Sequence, residues 1–187
     1  MSEIRAFYHS LADGPHTEDV SRPVPLDVIR ALGYQFWKTT PDEVVDELTK
    51  KAKERGFHQS ATDSQVVIDF GLDAFGGDKE ALEKEKAKFA EYFTWGHDVV
   101  ICALSGQKIV YLEDPSQSDP DTVIRYVHTP GDCVLGPAGA FRQVFYIGDN
   151  KDLVLANVLT DEKPLFISAK DAENHPVRQK YLSSIGR

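Results

Sequence analysis

Short runs of β-branched and aromatic residues, separated by turn residues, fill the second half of the chain. The runs cover residues 98–104, 108–113, 122–128, 133–135, 140–147 and 153–159. Glycine, proline, aspartate and asparagine lie between them, at 105–106, 114–115, 130–132, 136–139 and 148–150. Such residues favour turns, so they mark the places where one strand ends and the next begins. Short strands with turns at this spacing predict a small antiparallel barrel or sandwich.

The first half of the chain has the longer period that is typical of helices. We expect helices over residues 25–32, 40–55 and 79–91, with strands at 33–37 and 65–70. Thr40 and Glu43 have capping-box spacing at the start of the second helix. The predicted organisation is one domain: a helical, wrapping part over 1–91, a barrel core over 92–160 and a covering tail over 161–187.

Composition limits the choice of partners. The chain has 187 residues, enough for one domain with a sizeable core, and a net charge of −9. This acidity argues against nucleic acid or an anionic membrane as a partner. No apolar run approaches the ~20 residues that span a bilayer, and we expect a cytoplasmic protein. Cys102 and Cys133 are predicted to be buried free thiols, with a disulfide as the alternative.

Two stretches carry most of the information about the fold. In one, Gly131 is followed after five residues by Pro137, then by Gly139, and after two more residues by Arg142. This pattern resembles the second motif of the cupin superfamily, in which the position of Arg142 is a metal-binding histidine.

The first cupin motif is a His-x-His pair, a glutamate three or four residues later and a glycine after six more. Anchored on Gly106, its three ligand positions fall on Phe93, Trp95 and Val99. The glycine and proline framework of both motifs is therefore present, while all four ligand positions hold other residues.

The order of several further segments resembles the acireductone dioxygenase family over nearly the whole chain. These segments are residues 5–8, 15–16, 24–33, 53–57, 104–106, 131–139 and 174–181. The resemblance implies a mainly β fold, a cupin double-stranded β-helix or jelly-roll barrel with N-terminal helices.

In that family three histidines and a glutamate hold Fe(II) or Ni(II). By resemblance their positions are Phe93, Trp95, Val99 and Arg142, and none of these side chains offers a lone pair to a divalent metal. A family arginine near the glutamate position corresponds to Ile101. We therefore expect no metal, no other cofactor and no acireductone dioxygenase activity.

Strand alternation predicts which side chains face the barrel interior. One wall is expected to present Phe93, Trp95, His97, Val99 and Ile101, and the opposite wall Arg142, Val144 and Tyr146. In this prediction Arg142, His97 and Tyr146 are the catalytic candidates. The other five would bind substrate.

Two interpretations of this interior remain. Aromatic side chains fill it, or a pocket survives and binds an apolar or aromatic molecule with an anionic or enolisable group. The second makes the chain a metal-independent isomerase, cyclase or lyase of specialised metabolism, working through an enolate-like state. One alternative is a catalytically dead cupin that binds or regulates, with the charged helix 79–91 as its surface. Another is a dioxygenase whose metal has moved to donors among Glu91, His97, Asp98 and His128.

Overall fold

The protein is a jelly-roll barrel wrapped by short helices. A computed structural model describes residues 4–57, 65–157 and 165–187. The described strands are β1 Ala6–Ser10, β2 Gln35–Lys38, β3 Gln65–Asp69, β4 Phe93–Trp95, β5 Val99–Glu113, β6 Thr122–His128, β7 Asp132–Gly136, β8 Arg142–Ala156 and β9 Phe166–Ser168. The described α-helices are α1 Leu26–Ala31, α2 Val44–Arg55, α3 Lys79–Ala90, α4 Ala169–Ala172 and α5 Pro176–Ser184.

All strand pairs in this part of the chain are antiparallel. The sheet runs β1-β6-β5-β8-β4-β9, with β7 joined to β5, β2 joined to β7 and β3 joined to β8. Strands β1, β2 and β3 come from the first 91 residues, so the N-terminal part contributes to the sheet as well as the predicted helices.

The two longest strands, β5 and β8, form the spine of the barrel. The sequence predicted two strands in place of each, with turns at 105–106 and 148–150. Both predicted turns are wrong: β5 and β8 pair from Val99 to Leu112, with register shifts between Ala103 and Gln107. Gly106 has φ +77°, and a Cβ there would lie 2.1 Å from the carbonyl oxygen of Asp149. The glycine therefore serves a bulge inside one continuous ladder.

Helix α2 starts later than predicted. It begins at Val44, and no side chain caps its first turn. The Thr40 hydroxyl instead donates to the Glu43 carboxylate at 2.9 Å, so the two side chains of the predicted capping box bond to each other. Val44, Leu48 and Ala52 are buried against the outer face of the barrel.

The prediction of free thiols is also wrong. Cys102 of β5 and Cys133 of β7 are direct partners across the sheet and form a disulfide. Both residues are completely buried. The two side chains meet because β5 and β7 are neighbouring antiparallel strands and the residues are paired in register. The sequence alone does not reveal this register.

The C-terminal helix α5 packs on the motif that ends at Arg142. Gly139 has φ +81°, and a Cβ there would lie 2.4 Å from the carbonyl oxygen of Val177. Arg178 of this helix donates to the Gly139 carbonyl at 3.1 Å and pairs with Glu113 at 2.7 Å. The motif glycine thus allows α5 to cover the turn that leads into β8.

Within the described ranges, no helix has the length and apolar character needed to cross a membrane.

Candidate functional site

The barrel interior contains one small cavity of about 30 Å³. Its walls come from α3 and from strands on both sides of the barrel. The lining residues are Ile68, Phe89, Phe93, Trp95, Ile101, Lys108, Val110, Tyr126, His128, Val134, Arg142, Val144, Tyr146 and Asp152. A space of this size holds one or two water molecules.

Most of the predicted interior residues do meet at this cavity. Phe93 and Arg142 are direct neighbours across β4 and β8, which explains why both side chains point inward. The cavity is also lined by the predicted residues Trp95, Ile101, Val144 and Tyr146. Val99 is fully buried in the same hydrophobic cluster as Phe93 but does not line the cavity.

His97 lies elsewhere, contrary to the predicted alternation. Strand β4 ends at Trp95 and β5 begins at Val99, so the segment between them leaves the regular strand geometry. His97 lines a surface pocket of about 340 Å³ together with Arg55, Asp98 and Lys180. The expectation that His97 shares the interior with Arg142 is therefore wrong.

A cluster of aromatic rings lies inside the barrel. The ring centroids of Phe93 and Trp95 are 5.6 Å apart, and Phe93 stacks on Phe166 at 4.8 Å. Phe89 of α3 contacts Phe93 at 5.2 Å and Tyr146 at 5.9 Å. Phe89 and these neighbouring rings thus close the interior on the side where α3 packs.

A buried ion pair lies in the same cavity. The ammonium of Lys108 on β5 pairs with Asp152 on β8, and the two side chains are 5% and 4% exposed. Burial lowers the pKa of Lys108 below its ordinary value, and the Asp152 carboxylate opposes this shift. The Oδ1 atom of Asp152 is buried without a hydrogen-bond partner among the described residues.

His128 adds a neutral imidazole to this group. Burial, followed by the positive charge of Lys108, holds the pKa of His128 well below its ordinary value. Its Nε2 lies 2.7 Å from the Asp132 carbonyl oxygen. Because a carbonyl only accepts, Nε2 carries the proton and Nδ1 is left as an acceptor.

Tyr146 stays a phenol near this group. Burial, with the Asp152 charge second, raises the pKa of Tyr146 well above its ordinary value. The Lys108 ammonium lies 5.8 Å from its ring centroid. Tyr146 is therefore a neutral hydroxyl that can donate a hydrogen bond near neutral pH.

Arg142 is the second cation of the interior. It is 4% exposed, and its Nη2 donates to the Pro137 carbonyl at 3.1 Å. The guanidinium carbon lies 5.6 Å from the Tyr34 ring centroid. In the described part of the chain Arg142 has no carboxylate within ion-pair distance, and its Nε has no hydrogen-bond partner.

The cavity lining therefore has an excess of positive charge. Arg142 and Lys108 are cationic, Asp152 is the single carboxylate of the lining, and His128 is neutral. A buried cation without a counterion is costly. Arg142 Nε, Trp95 Nε1 and Asp152 Oδ1 are all buried without partners, so the lining has both unused donors and an unused acceptor.

Three of these residues were missed from the sequence. Lys108 lies in the predicted strand 108–113 and Asp152 lies between a predicted turn and the next strand, with no role predicted for either. His128 was named only as a possible donor to a relocated metal. A sequence signal for the inward position of Lys108 was present: it is two residues from Val110 and four from Leu112, so strand alternation places all three side chains on the same face of β5. The same alternation places His128 with Tyr126 and Asp152 with Val154.

The chain is similar to acireductone dioxygenases over most of its length, although no family model matches it. It is 27% identical over 173 residues to acireductone dioxygenase 4 of Arabidopsis thaliana, which covers 91% of this chain and 85% of the relative. It is also 27% identical over a 192-residue alignment to acireductone dioxygenase of Homo sapiens, covering 98% of both chains.

A solved structure supports the same fold. Acireductone dioxygenase from Bacillus anthracis, with a cadmium ion in its active centre, aligns with a TM-score of 0.61 at 13% identity. The alignment covers 88% of this chain and 99% of that chain.

The antiparallel jelly roll, with its Gly-x5-Pro-x-Gly motif ahead of β8, defines a cupin. In sequence, the chain is similar to the acireductone dioxygenase family over most of its length, as the order of its sequence segments predicted.

The family's metal does not fit the side chains at the corresponding positions. Phe93, Trp95 and Val99 have no ligating atom, and the Arg142 guanidinium is protonated. The alternative of a relocated site has no support in residues 4–57, 65–157 and 165–187, which contain no group of three or more potential His, Cys, Asp or Glu ligands. His128 is inside the barrel and His97 is on the surface, so these two donors are not brought together.

Proposed function

We propose that the chain is a metal-independent cupin enzyme that acts on a small organic anion inside the barrel. One observation carries this proposal: Arg142 is buried, cationic and without a carboxylate partner in the described structure. An anionic or enolisable substrate would supply the missing counter-charge. Arginine donors suit a carboxylate or an enolate oxygen because they form two parallel hydrogen bonds.

The proposed chemistry is proton transfer at a carbon next to a carbonyl group. Arg142 would stabilise the enolate oxygen as negative charge develops, an effect of ~3–4 kcal/mol in a dry site. The unpartnered Oδ1 of Asp152 is the candidate base that takes the carbon-bound proton. The neighbouring Lys108 ammonium and the Tyr146 phenol are the candidate donors that return a proton to another atom of the substrate. Transfer of the proton from Asp152 to the deprotonated donor then restores the starting state of an isomerase, cyclase or lyase.

Substrate entry requires side chains to move. The cavity of about 30 Å³ is well below the volumes of about 300–1,000 Å³ that small-molecule sites have. Phe89 is the residue to displace, because it belongs to α3 and contacts five other rings, those of Phe70, Phe93, Trp95, Tyr146 and Phe166. We propose that the substrate replaces this ring and so packs its apolar part where Phe89 now lies.

Deuterium exchange tests the proposal without knowledge of the net reaction. The protein, freed of metal with a chelator, is incubated in heavy water with a panel of aryl-substituted α-keto acids and 1,3-dicarbonyl acids. Proton NMR then follows loss of the acidic C–H signal. We expect exchange above the buffer rate, a loss of about 100-fold or more in Arg142→Met and partial activity in Arg142→Lys. Equal exchange by wild type and Arg142→Met would overturn the role of Arg142.

Phe89→Ala provides a matched variant for the entry step. Truncating the ring opens space while Arg142, Lys108 and Asp152 stay in place, so exchange should become faster for the bulkier members of the panel. Phe75→Ala is the control, because Phe75 contacts Phe70 at 6.4 Å but does not line the cavity.

A second candidate function is a catalytically dead cupin that binds or regulates another molecule. The filled interior favours it, since the aromatic side chains leave room for only one or two waters. The same panel separates the two proposals. A dead cupin shows neither exchange nor any change in melting temperature with the panel, in wild type and in Phe89→Ala alike.

A role in specialised metabolism and a location in the cytoplasm both stay predictions. Disulfides such as Cys102–Cys133 persist mainly in oxidising compartments. Subcellular fractionation of the native protein, with its thiol state measured by alkylation, tests the cytoplasmic location directly.

A further inference from the structure

Two buried N–H groups of the cavity lining have no acceptor. They are Trp95 Nε1 and Arg142 Nε, and among the described residues that line the cavity these are the only donors buried without a partner. Trp95 is 5% exposed and Arg142 is 4% exposed. A buried donor is unfavourable until an acceptor reaches it. Both groups are therefore free to bind an oxygen atom of a ligand.

The connection between β7 and β8 holds both side chains in place. The Gly139 N–H donates to the Trp95 carbonyl at 3.0 Å, and the Pro137 carbonyl accepts from Arg142 Nη2 at 3.1 Å. Gly136 leaves room for the guanidinium, since a Cβ there would lie 2.6 Å from Arg142 Nη1. One short segment thus fixes the end of β4 and the start of β8 relative to each other.

Strand register places the two donors on the same side of the sheet. Phe93 is the direct partner of Arg142 across β4 and β8, and Trp95 follows Phe93 by two residues, so all three side chains point inward. The rings of Phe93 and Phe166 meet the indole edge-on, at centroid distances of 5.6 and 6.2 Å. This packing fixes the plane of the indole and with it the direction of its N–H bond.

We infer that Trp95 Nε1 and Arg142 Nε donate hydrogen bonds to one substrate oxygen and so form an oxyanion hole. The inference rests on the proposed enzyme function and gives Trp95 a catalytic role beyond that of an apolar wall. The substrate class it implies is an enolisable ketone that binds through its carbonyl oxygen.

The two donors act while the carbon-bound proton moves to Asp152. The electron pair of the broken C–H bond forms the C=C bond of the enolate, and the π pair of the carbonyl moves to its oxygen. Negative charge therefore develops on the oxygen that both donors contact, where fixed hydrogen-bond donors stabilise a transition state most.

The indole N–H signals of the two tryptophans test this contact by NMR. Full-length ¹⁵N-labelled protein is used, and the signals are assigned with Trp37→Phe and Trp95→Phe. Trp37 is the matched control, because its Nε1 is also buried without a partner among the described residues but belongs to the cluster that α2 covers. The probe is the enolate of 2-phenyl-1,3-cyclohexanedione, and its neutral enol methyl ether is the matched ligand. Each is titrated to millimolar concentration into wild type and Phe89→Ala.

We expect the enolate to move the Trp95 N–H proton signal downfield and saturably, because a hydrogen bond to an anion is short and strong. The Trp37 signal should stay fixed. Arg142→Met should weaken enolate binding about tenfold or more, and the ether should bind more weakly than the enolate. No Trp95 shift in either protein, or equal shifts with the ether, overturns the inference and leaves the two donors as a water site only.

Deuterium exchange of the ketone panel separates a catalytic role of Trp95 from a packing role. Trp95→Phe keeps an aromatic ring but removes the N–H group, and should lower kcat for exchange about 100-fold. KM should stay nearly unchanged, because the donor acts on charge that develops in the transition state. Trp37→Phe should alter neither. In Trp95→Phe/Arg142→Met the loss should be smaller than the product of the two single losses, since both donors act on one oxygen.

The outcomes distinguish this inference from the enzyme function on which it rests. Exchange by wild type that persists unchanged in Trp95→Phe overturns the oxyanion hole and leaves the enzyme function standing. Single losses that multiply in the double variant also overturn it, because they place the donors on different atoms. Absence of exchange with every panel member overturns the enzyme function, and a saturable Trp95 shift would then still support the two donors as a binding site for an enolate oxygen.

Discussion

Lys108 of β5 and Asp152 of β8 form an ion pair inside the barrel, where their side chains are 5% and 4% exposed. Removing one member of such a pair leaves an uncompensated buried charge. Replacing both by apolar residues removes the charge altogether. The net contribution of the pair to stability is therefore smaller than the loss of stability that removing one partner would cause. A role in function explains the presence of two charges in an apolar interior more readily than a role in stability.

We predict that Asp152→Asn lowers the free energy of unfolding by about 3–5 kcal/mol. The double variant Lys108→Met/Asp152→Leu should be near wild type or more stable, yet inactive in the exchange assay. Urea denaturation measures both. The control is Lys151→Gln, which breaks an exposed pair with Asp69 and should change stability little, because water and salt screen exposed ion pairs. Equal costs for Asp152→Asn and Lys151→Gln would show that the interior pair is not formed.

His128 should make stability fall in mild acid. Because its pKa is well below the ordinary value in the folded protein, only the unfolded chain takes up a proton as pH drops below about 6.5. This uptake favours unfolding by about 1.4 kcal/mol at pH 5.5, and has almost no effect at pH 7.5. The difference in unfolding free energy between wild type and His128→Gln, measured at both pH values, should change by this amount. Parallel curves would contradict the lowered pKa of His128, because they would mean that this residue binds protons equally in the folded and unfolded chain.

The motif glycine next to α5 provides a steric test. Gly139→Ala places a methyl group 2.4 Å from the Val177 carbonyl oxygen at φ +81°. Gly56→Ala is the matched control, since Gly56 has φ +82° and no atom of the described residues lies within 4 Å of a new Cβ. The control should cost about 1–2 kcal/mol from backbone strain, and Gly139→Ala about 1–3 kcal/mol more from overpacking. Equal losses in thermal unfolding would show that α5 does not pack on this turn.

The disulfide predicts a thiol count and a stability change. Protein unfolded without reductant should show no free thiol on alkylation and mass spectrometry. The bond joins residues 31 apart in the sequence, so its removal should lower stability by about 3–4 kcal/mol on the loop-entropy model. The variant Cys102→Ala/Cys133→Ala measures this by urea denaturation. Two alkylated thiols in the unreduced protein would contradict the bond.

Most of the fold could be predicted from the sequence because its signals are local. Turn residues at regular spacing predicted the β-rich second half, and the Gly-x5-Pro-x-Gly pattern predicted the turn that leads into β8. The continuity of β5 and β8 could not be read, because a glycine at a bulge has the same local preference as one in a hairpin turn. Only the partner strand distinguishes the two.

The site was predictable where strand alternation holds. It placed Phe93, Trp95 and Arg142 correctly in the interior. It failed for His97, because the segment after β4 is not regular strand. The Lys108–Asp152 pair escaped notice because two separately unremarkable charges become informative only when the register of β5 and β8 brings them together.

Metal binding is the most direct test of the central claim that the family's metal site has been replaced by a cationic, metal-free interior. Metal content is measured by elemental analysis after chelation and after reconstitution with Fe(II), Ni(II) and cadmium. Acireductone dioxygenase from Bacillus anthracis, whose structure holds cadmium, is the positive control. We predict sub-stoichiometric metal in this protein under every condition, because Phe93, Trp95, Val99 and Arg142 provide no ligand. One tightly bound metal per chain would contradict the account and would make His97, His128 and Asp98 the first residues to mutate.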